Sequence, residues 1–194
     1  QGVLDRFSQI SPKVLVATDS YIYGGKKFDC LERLSTVRSG LPSVRTTLLV
    51  SPIEIATQNK ITSYETFLES GASTPVAPLR FGFDHPWYVL YSSGTTGVPK
   101  CIVHRTGGVL LQHLKEHQLH CDMKQDDRVM YFTTTGWMMW NWLVSVLASG
   151  ATAVLYDGSP SFPTMTRLFD IVDQEKLTLL GTSAKFIDSA RKTD

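Results

Sequence analysis

The chain has 194 residues, 42% of them hydrophobic, enough to build a core for one globular domain or slightly more. Nineteen Lys and Arg against eighteen Asp and Glu leave a net charge of +1, scattered in ones and twos, so nothing points to a nucleic-acid or acidic-surface partner. Cys30, Cys101 and Cys121 lack CxxC spacing, so neither a disulfide framework nor a cysteine zinc site is indicated, and a reducing, cytosolic setting is the simplest reading. The chain opens on Gln1 without methionine, signal segment or lipidation motif and reads as an excised piece.

Val3, Leu4, Phe7 and Ile10 predict a short helix stopped by Pro12, and Val14 to Ala17 a buried strand. Gly24-Gly25 between Tyr21-Ile22-Tyr23 and Lys26-Lys27-Phe28 predicts a small β-hairpin excursion. Leu31, Leu34 and Val37 mark a helix over 29–38, closed by Gly40 and Pro42, and Thr46 to Val50 a strand. The spacing of Thr62 and Glu65 predicts a capping box before a helix that ends at Gly71. A connector rich in Pro, Ser and Gly leads to His85-Pro86, and Trp87 to Tyr91 reads as a buried strand.

After residue 100, Cys101-Ile102-Val103 precede a helix starting near Thr106 or Gly107, with Leu110, Leu111 and Leu114 as its apolar stripe. Val129 to Thr133 is a predicted strand, Trp137 to Ser149 a helix buried on most sides, and Ala153 to Tyr156 a strand ending in the turn Asp157-Gly158-Ser159-Pro160. The uncharged run from Val129 to Tyr156 has the length of a membrane span, but Gly136 and Gly150 break it, and a buried strand-helix-strand unit explains it better. Met165, Leu168, Phe169 and Val172 mark an amphipathic helix, Leu177 to Leu180 a strand, and Ser183 onward a last helix. This βαβα alternation predicts an α/β fold with a largely parallel sheet flanked by helices.

The stretch Tyr91-Ser92-Ser93-Gly94-Thr95-Thr96-Gly97-Val98-Pro99-Lys100 follows a strand at its carboxyl end, where α/β sheets place ligands. Glycines let the backbone approach, the hydroxyls of Ser92, Ser93, Thr95 and Thr96 donate, and Lys100 brings a compact positive charge: a phosphate cradle, though not a Walker A loop. An ordinary polar turn has a similar composition, so both readings stand at this level.

YSSGTTGVPK resembles the phosphate loop of the acyl-adenylating superfamily, which includes acyl-CoA synthetases, luciferases and peptide-synthetase adenylation domains. The likeness continues through CIVHRTGGVLLQHLKEHQLH and TTTGWMMWNWLVSVLASGATAVLYDGSP, and is weakest before Pro86. Within the superfamily GW before a hydrophobic helix, SGAT and an acidic-Gly turn form the acetyl-CoA synthetase-like pattern, and HLKEHQLH and GWMMWNW are most similar to the acetoacetyl-CoA synthetase branch. Cys101 stands where many members have glycine.

The resemblance implies that residues 1–194 are a central, incomplete part of the large N-terminal adenylate-forming domain, with the small C-terminal domain absent. It implies a parent that joins acetoacetate to coenzyme A with ATP and magnesium, releasing AMP and pyrophosphate, in the cytoplasm. Ser92, Ser93, Gly94, Thr95, Thr96, Gly97 and Lys100 then hold the ATP phosphates, and Gly136, Trp137 and Asn141 are candidates for the acyl pocket. No catalytic residue is assigned within this chain. The Tyr-Gly-x-Thr-Glu-like motif, the ribose-binding Asp and the adenylation lysine of the superfamily are not found in it, so the chain alone is expected to be inactive, with self-association through exposed edges. The alternatives are an acetyl- or propionyl-CoA synthetase-like enzyme and a non-catalytic nucleotide-binding or interaction module.

Other motifs are read as structural. His113-Leu114-Lys115-Glu116-His117 spells H-x-x-E-H with His120 one turn on, but a solvated polar helix face is preferred to a zinc site, and no metal site is assigned. Met138, Met139 and Trp142 read as core, His104 as a packed or hydrogen-bonded histidine, and Asp126-Asp127 as a helix-to-strand turn. Thr182 to Lys185 lie at a strand's carboxyl end without an assigned role.

Overall fold

The computed structural model describes residues 1–51, 61–71, 75–92 and 97–193. In chain order its elements are α1 (Gly2–Phe7), β1 (Val14–Thr18), β2 (Ser20–Tyr23), β3 (Lys26–Asp29), α2 (Leu31–Ser39), β4 (Thr46–Val50), β5 (Ile61–Ser63), α3 (Tyr64–Glu69), β6 (Pro86–Tyr91), β7 (Cys101–Arg105) and α4 (Thr106–Lys115). A π-helical turn (Glu116–His120), β8 (Arg128–Tyr131), α5 (Met138–Val144), a 3₁₀ helix (Ser145–Ser149), β9 (Thr152–Ala153), α6 (Arg167–Glu175), β10 (Leu179–Gly181) and α7 (Ala184–Arg191) complete it. The chain divides into two compact units, one of Gln1–Arg80 with Val89–Val103 and one of Phe81–Tyr88 with His104–Asp194.

The first unit holds a parallel sheet in the order β1-β4-β5 and the antiparallel hairpin β2-β3. Its core is Leu15, Leu34 and Leu49, with Phe7, Val37, Val44 and Ile61 against them, so α1 and α2 use their apolar stripes to cover the sheet. Asp19 and Ser51 follow β1 and β4 directly and meet at the carboxyl edge, where Ser51 Oγ donates to Asp19 Oδ2 at 2.8 Å. Ser20 Oγ donates to Asp19 Oδ1 at 3.2 Å, and the Asp19 carbonyl accepts from Cys30 N–H at 2.7 Å, which roots the hairpin on the sheet.

The second unit holds a parallel sheet in the order β10-β8-β9. Consecutive residues of β8 serve opposite faces: Val129 packs with Met123, Trp142, Leu143 and Val146, Met130 with Leu168, Ile171 and Phe186. Both are essentially inaccessible, which explains why this stretch reads as an unbroken apolar run. Burying each contributes about 1.5–3 kcal/mol. No described helix is long and apolar enough to cross a membrane.

The parallel pairing expected from the βαβα alternation is therefore present, divided between two three-stranded sheets, with the hairpin where Gly24 and Gly25 placed it. Several local expectations are corrected. Thr62 does not cap a helix: it pairs with Leu48 in β5, and the cap is Ser63, whose Oγ accepts from Thr66 N–H at 3.0 Å. Asp29 ends β3 and accepts from Leu31 N–H at 3.0 Å, so α2 starts later than its stripe implied. The first helix ends at Phe7, short of Ile10. The predicted helix over 137–149 changes from α to 3₁₀ at Ser145 and stops at Gly150, which has φ 78°. It is buried on one side only, and Met138, at 53% exposure, is not core. The strand expected over 153–156 is reduced to Thr152–Ala153.

Candidate functional site

The phosphate-loop candidates lie in the first unit, on the turn between β6 and β7, which pair as a two-stranded ribbon. Ser93, Gly94, Thr95 and Thr96 fall outside the described residues. Ser92, Gly97 and Lys100 are described, and two of them close the neck of the loop: Ser92 N–H donates to the Lys100 carbonyl and Lys100 N–H to Ser92 Oγ, both at 3.0 Å. With its oxygen engaged, Ser92 keeps its hydroxyl proton to donate elsewhere. Gly97 has φ 118°, which a side chain would strain, and among the described residues nothing lies within 4 Å of where a Cβ would stand. Lys100 is exposed, and none of the ion pairs among the described residues involves it. Exposed ammonium, donor hydroxyl and open glycine backbone suit an anion.

Two supports of the loop had no signal in the sequence. Gln9, just after α1, donates to the Pro99 carbonyl at 2.7 Å across a separation of 90 positions, and only folding brings these together. Tyr91 ends β6 with its hydroxyl buried and without a hydrogen-bond partner, and burial pushes its pKa above the ordinary phenol value. It stays a neutral phenol beside the loop.

The acyl-pocket candidates lie in the second unit, beyond the carboxyl end of β8. Gly136 and Trp137 are exposed, Trp137 at 70%, and Trp137 N–H donates to the Thr134 carbonyl at 3.0 Å. Trp137 stands at the N-cap of α5 with extended backbone, and Asn141, half-buried, follows four residues later within the helix. At the same sheet edge Ser183 caps α7, its Oγ accepting from Phe186 N–H at 3.2 Å, and Thr182 Oγ1 is buried without a hydrogen-bond partner.

The H-x-x-E-H stretch is placed against expectation. His113 and His117 face inward, at 7% and 0% exposure, while Leu111 and Leu119 are 64% and 77% exposed. The face taken for a solvated polar one is the packed one, because Ser145 offers His113 a hydrogen bond and Trp142 offers His117 a ring edge. His113 Nδ1 lies 2.7 Å from Ser145 Oγ, and His117 meets Trp142 edge-on with centroids 4.6 Å apart. Burial holds both histidines below the ordinary value, helped for His117 by neighbouring His113; the Trp142 carbonyl and then Glu116 partly oppose this at His117, and Glu116 does so at His113. Among the described residues no group of three or more His, Cys, Asp or Glu could hold a metal ion. His104 packs against Tyr88 with ring centroids 5.2 Å apart, and Asp126, with φ 75°, and Asp127 form the turn into β8.

The model of the family described as AMP-binding enzyme matches residues 3–192. The acetoacetyl-CoA synthetase of Gallus gallus is 47% identical over 195 residues, covering 96% of this chain and 29% of its own length. The acetoacetyl-coenzyme A synthetase of Rhizobium meliloti is 48% identical over 195 residues, covering 99% and 30%. The solved acetoacetyl-CoA synthetase from Streptomyces lividans superposes with a TM-score of 0.91 at 45% identity, over 98% of this chain and 29% of that one. The chain thus spans about 30% of the length of the relatives it matches.

Proposed function

Since the chain belongs to the AMP-binding enzyme family, we propose that it is part of the large N-terminal domain of an ATP-dependent acetoacetate-CoA ligase. The observation that carries this reading is the shared name of relatives from a bird and a bacterium, both near half identity over nearly the whole of this chain. In the proposed reaction a carboxylate oxygen of acetoacetate attacks the α-phosphorus of ATP, and the bond to pyrophosphate breaks. The thiol of coenzyme A then takes the acyl group from the adenylate, releasing AMP. Magnesium would accompany ATP and share in neutralising its phosphates, and no residue of this chain is assigned to hold it.

The residues in hand have a positioning and electrostatic task. Ser92, Ser93, Gly94, Thr95, Thr96, Gly97 and Lys100 hold the β- and γ-phosphates and offset the charge that grows on the leaving pyrophosphate. Gly136, Trp137 and Asn141 bound the small acid, the indole as wall and the amide as donor. Exposed Leu111, Leu119, Ile102 and Val103 contact the remainder of a longer polypeptide, or a second copy when the chain is isolated. The setting is cytoplasmic lipid and ketone-body metabolism.

The test is acetoacetate-dependent exchange between ATP and pyrophosphate, run on this chain and on a full-length enzyme carrying it. Exchange by the full-length enzyme alone is expected. Exchange with acetate or propionate in preference to acetoacetate overturns the choice of acid, and exchange by the isolated chain overturns its incompleteness.

A further inference from the structure

Trp142 is held at both of its polar ends. Its indole Nε1–H donates to Glu116 Oε2 at 3.0 Å, and its carbonyl accepts from Ser145 Oγ at 2.8 Å. Because the single Ser145 proton is spent on that carbonyl, the contact with His113 runs the other way: Nδ1–H of His113 donates to Ser145 Oγ, which fixes the neutral tautomer. Glu116 is itself steadied by Gln112, whose Nε2 donates to Oε1 at 2.5 Å.

Glu116 reaches this position through the π-helical turn. The Glu116 carbonyl accepts from Cys121 N–H at 2.9 Å, five residues on, and the wider turn brings both Glu116 and His117 onto Trp142. Trp142 is 5% exposed and sits in the core against Val129 of β8. It is also the residue after Asn141 on α5, so its orientation sets the rotation of that helix about its own axis. At about 100° per residue, Asn141 lies a little over a quarter of a turn from the anchored Trp142, and Trp137 joins the same helix at its N-cap, so both follow its rotation.

We infer that Glu116 is a positioning residue for the acid pocket, acting through the indole of Trp142 to set the rotation of α5 and hence the places of Trp137 and Asn141. This rests on the reading of Trp137 and Asn141 as pocket residues. Glu116 touches neither substrate nor phosphate in this role. It acts by orientation, so its loss displaces the pocket wall and leaves the phosphate loop's chemistry as it was.

The experiment uses a full-length enzyme carrying this chain, with initial rates measured separately against acetoacetate and ATP. Glu116→Ala and Trp142→Phe are each expected to raise KM for acetoacetate by roughly tenfold, within the range that a misplacement of about 1 Å produces, with KM for ATP within about twofold of the parent. Glu116→Gln keeps an oxygen for the indole, and Gln112 can turn its amide to match, so this variant is expected to stay near the parent. Trp137→Ala, measured alongside, tests the pocket itself. If Trp137→Ala raises KM for acetoacetate and the Glu116 and Trp142 variants do not, the positioning role is overturned and the pocket reading stands. If Trp137→Ala leaves KM for acetoacetate unmoved, the pocket reading falls and takes the positioning role with it. Should Glu116→Ala fail to fold, Glu116→Leu, which fills a similar volume, leaves the indole in place and removes its acceptor, decides instead. Equal losses against both substrates, or failure of Glu116→Gln to restore the parent value, also overturn it.

Discussion

Ser92 and Lys100 hold each other by two backbone-anchored hydrogen bonds, so the loop they bound is closed at its neck. The lysine ammonium and the Ser92 hydroxyl proton are then the parts of that pair left for an anion. Lys100→Met is expected to weaken ATP by about tenfold, the loss of a charge-assisted hydrogen bond, and to leave KM for acetoacetate unchanged. Exchange rates against ATP concentration check this. An unchanged ATP dependence would remove Lys100 from the phosphate site.

His117 is completely buried, and among the described residues neither ring nitrogen makes a hydrogen bond of good geometry, the Trp142 carbonyl nearby giving its charged form only partial support. Replacing such a group with an apolar one relieves a desolvation cost, so His117→Leu is expected to be neutral or stabilising by up to about 2 kcal/mol. Denaturant midpoints at neutral pH decide it. A loss of several kcal/mol would show a polar role for the ring.

The same burial predicts an acid-sensitive second unit. Burial holds His113 and His117 below the ordinary value of 6.5, against the pull of Glu116 toward the charged form and with His104 adding to the effect at His113. Above 6.5 both folded and unfolded chains carry neutral imidazoles and stability is flat. Below it the unfolded chain takes protons that the folded chain refuses, so stability falls until the folded values are reached. Thermal unfolding from about pH 7.5 to about pH 5 should show this decline, with a shallower slope in His117→Leu.

Asp19 responds in the opposite sense to its hydrogen bonds. Donation from Ser51, then from Ser20 and Thr18, outweighs desolvation and holds its carboxyl below the ordinary 3.8. Its contribution is therefore present above that value and lost as pH falls through the lower, folded one. Asp19→Ala should destabilise the first unit by about 1–3 kcal/mol at neutral pH by removing the carboxylate that accepts from the Ser51 and Ser20 hydroxyls, while the backbone bond from Cys30 N–H remains. Hydrogen exchange at β2 and β3 is the readout, and unaltered protection there would count against the latch.

Gly181 of β10 leaves no room for a side chain, since a Cβ would stand 2.1 Å from the Tyr131 ring. Gly181→Ala is expected to cost about 1–3 kcal/mol, with the loss reduced when Tyr131→Leu is combined with it. A double-mutant cycle on unfolding midpoints measures the coupling. Additive losses would show that the ring is not the obstacle.

By itself the sequence determined the alternation of strands and helices, the hairpin at Gly24-Gly25, the site of the loop and the family. These follow from local periodicity, turn chemistry and a contiguous run of residues, all of which can be read along one dimension. Tertiary structure alone decided which residues stand behind the loop and behind α5. Gln9 meets Pro99, and Glu116 meets Trp142, over separations of 90 and 26 positions, and no local pattern encodes either meeting. The helix after β7 carries the same lesson. Leucine pattern alone put Leu110, Leu111 and Leu114 inward, but a serine able to accept a hydrogen bond and a tryptophan edge made the histidine face the better one to bury. A polar side chain is buried wherever a partner meets its needs, and the partner is supplied by the fold.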